Sequence, residues 1–563
     1  MAKYPSSNKN NLNQITNFLN RILNWVDLNI YDLARQMRMS YVPPMMVYLA
    51  AGVSGLTGIV GAFFVKDFLG LSAEFLATLG FWAMMPWAMK MPIGHLVDLL
   101  WRHKAKLVYL GATLIACSLV IMLNILADSH PTTGLLPVET WFVIATLLAP
   151  IGYVIQDTVA DAMTVEAVAR VDERGIPIPQ EQIQLAHTTM QTLGRVSIIG
   201  GTLIVAIANV FWFRGVATMD AAAQAAIYVQ IYQWALLVPV ISVFGVLLAA
   251  YQRSSQEWRL ASQGYEFEDI ERALARPVTE LAEINWWILG GGLSFTLFAV
   301  VMGLANVPYN EELIFAGSLA IVVFLMWRLT DELSTSVRKQ LFGTALVIFA
   351  FRAIPATGAG STWWMIDDLG FDQQFLSKLT LISSGLTLFG MFLFRRFMAE
   401  RSITEIITLL TIIFSVLNLP EIALYYGFHE WTQTHIASFI DARFIALVDT
   451  ALESPLGQIA MIPMLAWIAN SAPPQLKATY FAVMAAMVNL ALSLSQLLTK
   501  LLNHWFIITR EVKNTVTGLV SIPADYSQLG GLFITVMFLG FAIPMLTIYI
   551  AKRTLLSERE SRF

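Results

Sequence analysis

Three carboxylates, Asp157, Asp161 and Glu166, stand on the otherwise apolar stretch from Pro150 to Glu166. Asp157 and Asp161 lie one helical turn apart and share a face, whereas Glu166 falls close to the opposite side. A second pair with the same spacing, Asp449 and Glu453, occupies another apolar window. Ionisable groups within membrane helices cost several kcal/mol, face a bundle interior or a wet cavity, and mark function by default. Paired carboxylates of this kind suit proton coupling, because their protonation can follow access to water; the other reading is that each pair is anchored by a cation on a neighbouring helix. Candidate counter-charges are Lys90, Arg195, Arg352, Lys378 and Arg443. Lys90 lies between Pro86 and Pro92, and Arg352 stands just before Pro355. A helix interrupted by proline lines a cavity more readily than it faces lipid. Lys378 and Arg443 can instead reach an interface by snorkelling. The expected substrate-binding set is Lys90, Arg352, Tyr153, Trp363 and Trp364, suited to a flat ring with an anionic tail. Asp157, Asp161, Asp449 and Glu453 form the expected proton-coupling set.

The elements that must hold these residues are transmembrane helices. The 563-residue chain is 57% hydrophobic and only 13% charged, with a mean hydropathy of +0.63, which excludes an ordinary soluble protein. Its net charge of -4 and lack of a basic run give no nucleic-acid face. The single Cys117 rules out a disulfide framework, and no histidine spacing suggests a metal site; His429 and His435 read as loop residues. No cofactor is expected. Apolar windows fall near 45–65, 74–96, 106–126, 138–163, 183–210 and 228–250, then 284–305 and 312–329, then 341–364, 374–395, 403–425, 440–468, 478–503 and 529–551. That makes about fourteen helices in an all-α integral membrane protein. Lys and Arg collect on one side of these spans, which predicts both termini in the cytoplasm. Residues 1–40 read as a polar cytoplasmic segment containing an amphipathic stretch, and residues 552–563 as a cytoplasmic tail.

An internal repeat sets the architecture. GIVGAFFVKDFLGLSAEFLATLG from Gly58 recurs from Gly358 as GAGSTWWMIDDLGFDQQFLSKLT, without a gap, at an offset of 300 residues. The shared Gly58/Gly358, Asp67/Asp367 and Gly70/Gly370 carry most of the signal. Two six-helix halves, 41–251 and 341–551, entered by the same first loop, form the pattern of the major facilitator fold. Residues 252–340 then supply a cytoplasmic linker and two inserted helices. Gly52, Gly55, Gly58 and Gly61 recur every third residue and read as packing positions. The hairpin Gly94-His-Leu-Val-Asp98 followed by Arg102-His-Lys104 approximates the G-x-x-x-D-R/K loop of major facilitators, so Asp98, Arg102, Glu166 and Arg195 form the expected gating set.

Three runs together resemble the folate–biopterin transporter family: KDFLGLSAEFLATLGFWAMMPWAMKMPIGHLVD from Lys66, DTVADAMTVEAVAR from Asp157, and LVDTALESPLGQIAMIPMLAWIANSAPPQLKATYFAVMAAMVNL from Leu447. Lys90, Asp98, Asp161, Glu166, Asp449, Gln458 and Pro463 match positions typical of that family. The resemblance implies proton symport of a folate-like or pterin-like organic anion across a cell inner or plasma membrane, or one of plastid or thylakoid type. Ala167, Arg352, His95, the long amino terminus and the two inserted helices depart from the family pattern. A different class also fits a major-facilitator-like chain: an assembly factor similar to the light-harvesting group, docking a membrane-protein partner through helices 284–329. No nucleophile–base set or phosphate-cradling loop points to an enzyme.

Overall fold

The computed structural model describes residues 35–555, apart from 70, 101–102, 128–135, 169–177, 267–285, 305–306, 331–333, 395–396, 399–400, 460, 462–476 and 514–519. The amphipathic stretch expected in the amino terminus, the tail beyond 555, Arg102 and Pro463 lie outside the described residues.

The first half comprises α1 (Val42–Val53), α2 (Gly58–Phe68), α3 (Ala73–Ala88), α4 (Lys90–Leu99), α5 (Lys104–Ala127), α6 (Val138–Ala167), α7 (Gln180–Trp212), α8 (Ala221–Ala235) and α9 (Leu237–Ser262). The inserted pair is α10 (Trp286–Leu304) and α11 (Asn310–Leu329). The second half runs through α12 (Thr335–Arg352), α13 (Ala359–Asp367), α14 (Gln373–Leu393), α15 (Ile403–Leu417), α16 (Leu419–Tyr425), α17 (Phe428–His435), α18 (Ala442–Glu453), α19 (Lys477–Trp505) and α20 (Leu529–Thr554). A two-stranded antiparallel ribbon, β1 (Val512–Lys513) with β2 (Val520–Ile522), lies between α19 and α20. Among the described residues, eleven helices are long and apolar enough to cross a membrane. The three further windows expected near 74–96, 341–364 and 440–468 are broken helices or run into residues that are not described.

Proline causes two of these breaks and neighbouring side chains stabilise them. In the second spanning segment, Pro86 and Pro92 each remove a backbone donor, and the helix resets at Met89 between α3 and α4. Beside that break, the Trp87 carbonyl accepts from the Asn489 side chain at 3.1 Å. Between α12 and α13 the chain unwinds through Pro355 to Gly358, whose φ of 77° is left-handed. One face of α19 satisfies this segment: Ser495 donates to the Ile354 carbonyl at 2.6 Å, Thr499 accepts from the Ala356 amide at 2.9 Å, and Asn503 donates to the Thr357 carbonyl at 3.3 Å. Irregular backbone at membrane depth persists only where such partners exist.

The two halves meet along α3 with α19 and α7 with α14. The inserted pair closes one of these seams, since α10 packs on α4 and α11 on α19. Lys500 of α19 pairs with Glu311 at 3.2 Å and Glu312 at 3.7 Å. Of the four glycines expected to serve close packing, only Gly52 does so. A Cβ there would come within 2.0 Å of the Ile198 carbonyl oxygen, whereas Gly55, Gly58 and Gly61 have no neighbour within 4 Å. A three-residue period drifts around a helix, so only one of the four faces α7.

Candidate functional site

Lys90 is the first residue of α4, placed by the break at Met89, and it projects towards the carboxylate face of α6. Its Nζ lies 2.6 Å from Asp157 Oδ2 and 2.7 Å from Asp161 Oδ2, with only 16% of the Lys90 and Asp157 side chains exposed. Tyr48 of α1 donates to the other oxygen of Asp161 at 2.5 Å. Three segments of the first half thus converge on one network, and one lysine is shared by two carboxylates a turn apart. Lys90 is therefore already engaged.

The remaining cations differ. Arg195 on α7 lies within electrostatic range of Tyr48, Asp157 and, across the boundary between the halves, Arg352. Arg352 is the last residue of α12, placed where the backbone unwinds ahead of Pro355. Its Nη1 contacts the Met461 sulfur at 3.5 Å, and its buried Nε has no hydrogen-bond partner. Among the described residues neither arginine forms a carboxylate ion pair. Among the described residues, Lys90, Arg195 and Arg352 set three cations against Asp157 and Asp161, and the excess lies on the arginines. Guanidinium groups favour bidentate contacts with carboxylates.

In the second half, Asp449 and Glu453 on α18 share electrostatic range with Glu421 of α16. Glu421 was not anticipated, although a lone carboxylate after Pro420 in an apolar window was its available signal. Asp449 Oδ1 is buried without a partner, and among the described residues none of the three acids forms an ion pair. Arg443 is occupied elsewhere, donating to the Gly370 carbonyl at 2.8 Å and pairing with Asp372 at 3.5 Å. Lys378 is exposed on α14.

Trp363 and Trp364 are buried in a core between α13, α20 and the segment after α19, away from the Lys90 network. Tyr153 packs, half-buried, against the core of the first half. Glu166 pairs with Lys104 at 2.6 Å, so the second basic residue of the hairpin motif supplies its counter-charge. The Asp98 side chain and Arg102 lie outside what is described.

The two-halved helical bundle, with eleven described helices long and apolar enough to cross a membrane, has a multi-pass fold of the major facilitator type. A peptide transporter POT shares the fold, with a TM-score of 0.55 at 11% identity, covering 91% of this chain and 94% of that one. The nucleoside transporter NupG aligns with a TM-score of 0.50 at 11% identity, covering 92% of this chain and all of that one (100%). At such identities the likeness is one of fold. Residues 51–561 match the sequence profile of the BT1 family, and the chain belongs to that family. A folate-biopterin transporter from Synechocystis sp. (strain ATCC 27184 / PCC 6803 / Kazusa) is 31% identical over 185 residues, which span 33% of this chain and 36% of that protein. The resemblance drawn from the motifs is thereby borne out at the level of the family.

Proposed function

We propose that this protein carries a folate-like or pterin-like organic anion across a cell inner or plasma membrane by alternating access, coupled to protons. The observation that carries this reading is the contrast between the cations: Lys90 is neutralised by two aspartates, whereas among the described residues Arg195 and Arg352, one from each half, form no carboxylate ion pair, and Arg352 Nε is buried without a hydrogen-bond partner. A substrate carboxylate between them supplies the missing anion and joins the halves. The proton role falls to carboxylates that can exchange partners. Asp157 and Asp161 release Lys90 on protonation, and Glu421, Asp449 and Glu453, which form no ion pair among the described residues, are the further candidates to carry a proton. The likeness to a folate-biopterin transporter supports the folate and biopterin class.

Equilibrium binding of labelled folate to the purified protein tests the arginine assignment. A charge-assisted contact contributes about 1.5–3 kcal/mol, so Arg352→Gln and Arg195→Gln each raise Kd by roughly tenfold or more. Wild-type affinity in both variants contradicts the assignment.

A further inference from the structure

The two copies of the internal repeat meet in space. Each ends the first spanning segment of its half, and both sit at the end of the bundle away from the start of α1 and the end of α20, called distal here. Lys66, at the end of α2, pairs with Asp367, at the end of α13, at 2.6 Å, with 8% and 18% of their side chains exposed. Tyr526, in the segment between α19 and α20, donates to the other Asp367 oxygen at 2.5 Å. Arg510 of the same segment, only 4% exposed, reaches across the boundary and donates to the carbonyls of Leu69 and Leu71. Its guanidinium also lies over the Trp363 ring, 5.3 Å from the centroid. Further distal bonds between the halves run from Gln373 to the Tyr228 hydroxyl at 2.8 Å and between His504 and Glu74 at 3.2 Å. Ala73 of the first half is buried in the apolar core of the second. Beside this arrangement a surface recess of about 380 Å³, lined by Trp364, Asp368, Tyr425, Asp525 and Tyr526, opens to the distal side.

We infer that Lys66 and Asp367 form the distal latch of the carrier, with Tyr526 and Arg510 as its clasp, and that this ion pair separates in each transport cycle. The physical argument rests on what the contact joins. An ion pair within one half contributes equally to every conformation, whereas one between halves exists only while the distal end is closed. Buried pairs also discriminate strongly, because breaking one without rehydration leaves two uncompensated charges. The recess is lined by Tyr526, which bonds Asp367, and by the adjacent Asp368, so solvent stands beside the clasp when the pair dissociates. Of the latch residues, Asp367 is a matched position of the repeat, and Lys66 precedes its counterpart Asp67. The inference rests on alternating access but not on the identity of the substrate.

The test uses full-length protein in lipid, with Cys117→Ser and spin labels on the exposed distal positions Met219→Cys and Gln433→Cys, read by electron–electron distance measurement. Lys66→Ala and the near-isosteric Asp367→Asn shift the distance distribution towards a longer, distal-open population. The charge exchange Lys66→Asp with Asp367→Lys restores the short one. Short-distance populations unchanged in both single variants overturn the latch, as does a charge exchange that leaves the distribution as open as either single variant. A Lys66→Cys, Asp367→Cys pair provides a second arm without labels. A reducible bifunctional thiol reagent about as long as a lysine side chain links the pair and lowers transport at least tenfold, and reduction of the linker restores it. A crosslinked carrier that transports at the unlocked rate also overturns the proposal. Because the distance readout needs no substrate, failure of folate transport leaves it interpretable.

Discussion

Lys90 shows how a single residue can be legible in sequence while its partners are not. A lysine between two prolines in an apolar window announces a polar interior, and Asp157 and Asp161 announce a shared face. That the three form one cluster depends on how α4 and α6 pack, and the Tyr48 contact depends on α1 as well. For the same reason the sequence does not separate Trp363 and Trp364 from Lys90, although they belong to the distal core, since aromatic residues carry no signal of depth. Removing Lys90 leaves two carboxylates facing each other, and breaking a buried pair costs about 3–5 kcal/mol. Lys90→Ala therefore lowers the thermal unfolding midpoint in detergent and abolishes uptake. Adding Asp157→Ala recovers part of the midpoint but none of the uptake. Additive losses of stability in the double variant contradict a shared cluster.

At the scale of elements, the two broken helices were readable because proline cannot continue a hydrogen-bond ladder. The partners of the opened backbone were not readable: Ser495, Thr499 and Asn503 look like ordinary small polar residues until their four-residue spacing is set against the unwound segment 353–358. The glycines of the first segment teach the complementary lesson, because their spacing says nothing about which of them meets a neighbour. Gly52→Ala forces a methyl against the Ile198 carbonyl and destabilises by about 1–3 kcal/mol, the usual cost of overpacking. Gly58→Ala, with open space around it, stays within about 0.5 kcal/mol of wild type. Thermal unfolding of the two variants side by side checks this, and equal losses contradict the helix crossing described.

For the whole molecule, the repeat at a 300-residue offset foretold two like-oriented halves because it preserved glycine and aspartate positions that packing alone does not demand. The position of the inserted helices was not foretold. They lie on both halves at once, with Gly292 against Pro92 of α4 and Glu311 against Lys500 of α19. Such an arrangement ties the pair to the seam between the halves. Their apolar sequence carried no trace of this, since lipid-facing and protein-facing residues look alike within a membrane. The central claim concerns the carrier as a unit, and its most direct test is uptake of labelled folate by proteoliposomes holding the purified protein, with and without an inward proton gradient. Saturable uptake stimulated by the gradient, and lost in Arg352→Gln, is the predicted result. Correctly inserted protein that takes up neither folate nor a simpler pterin under either condition would contradict the account.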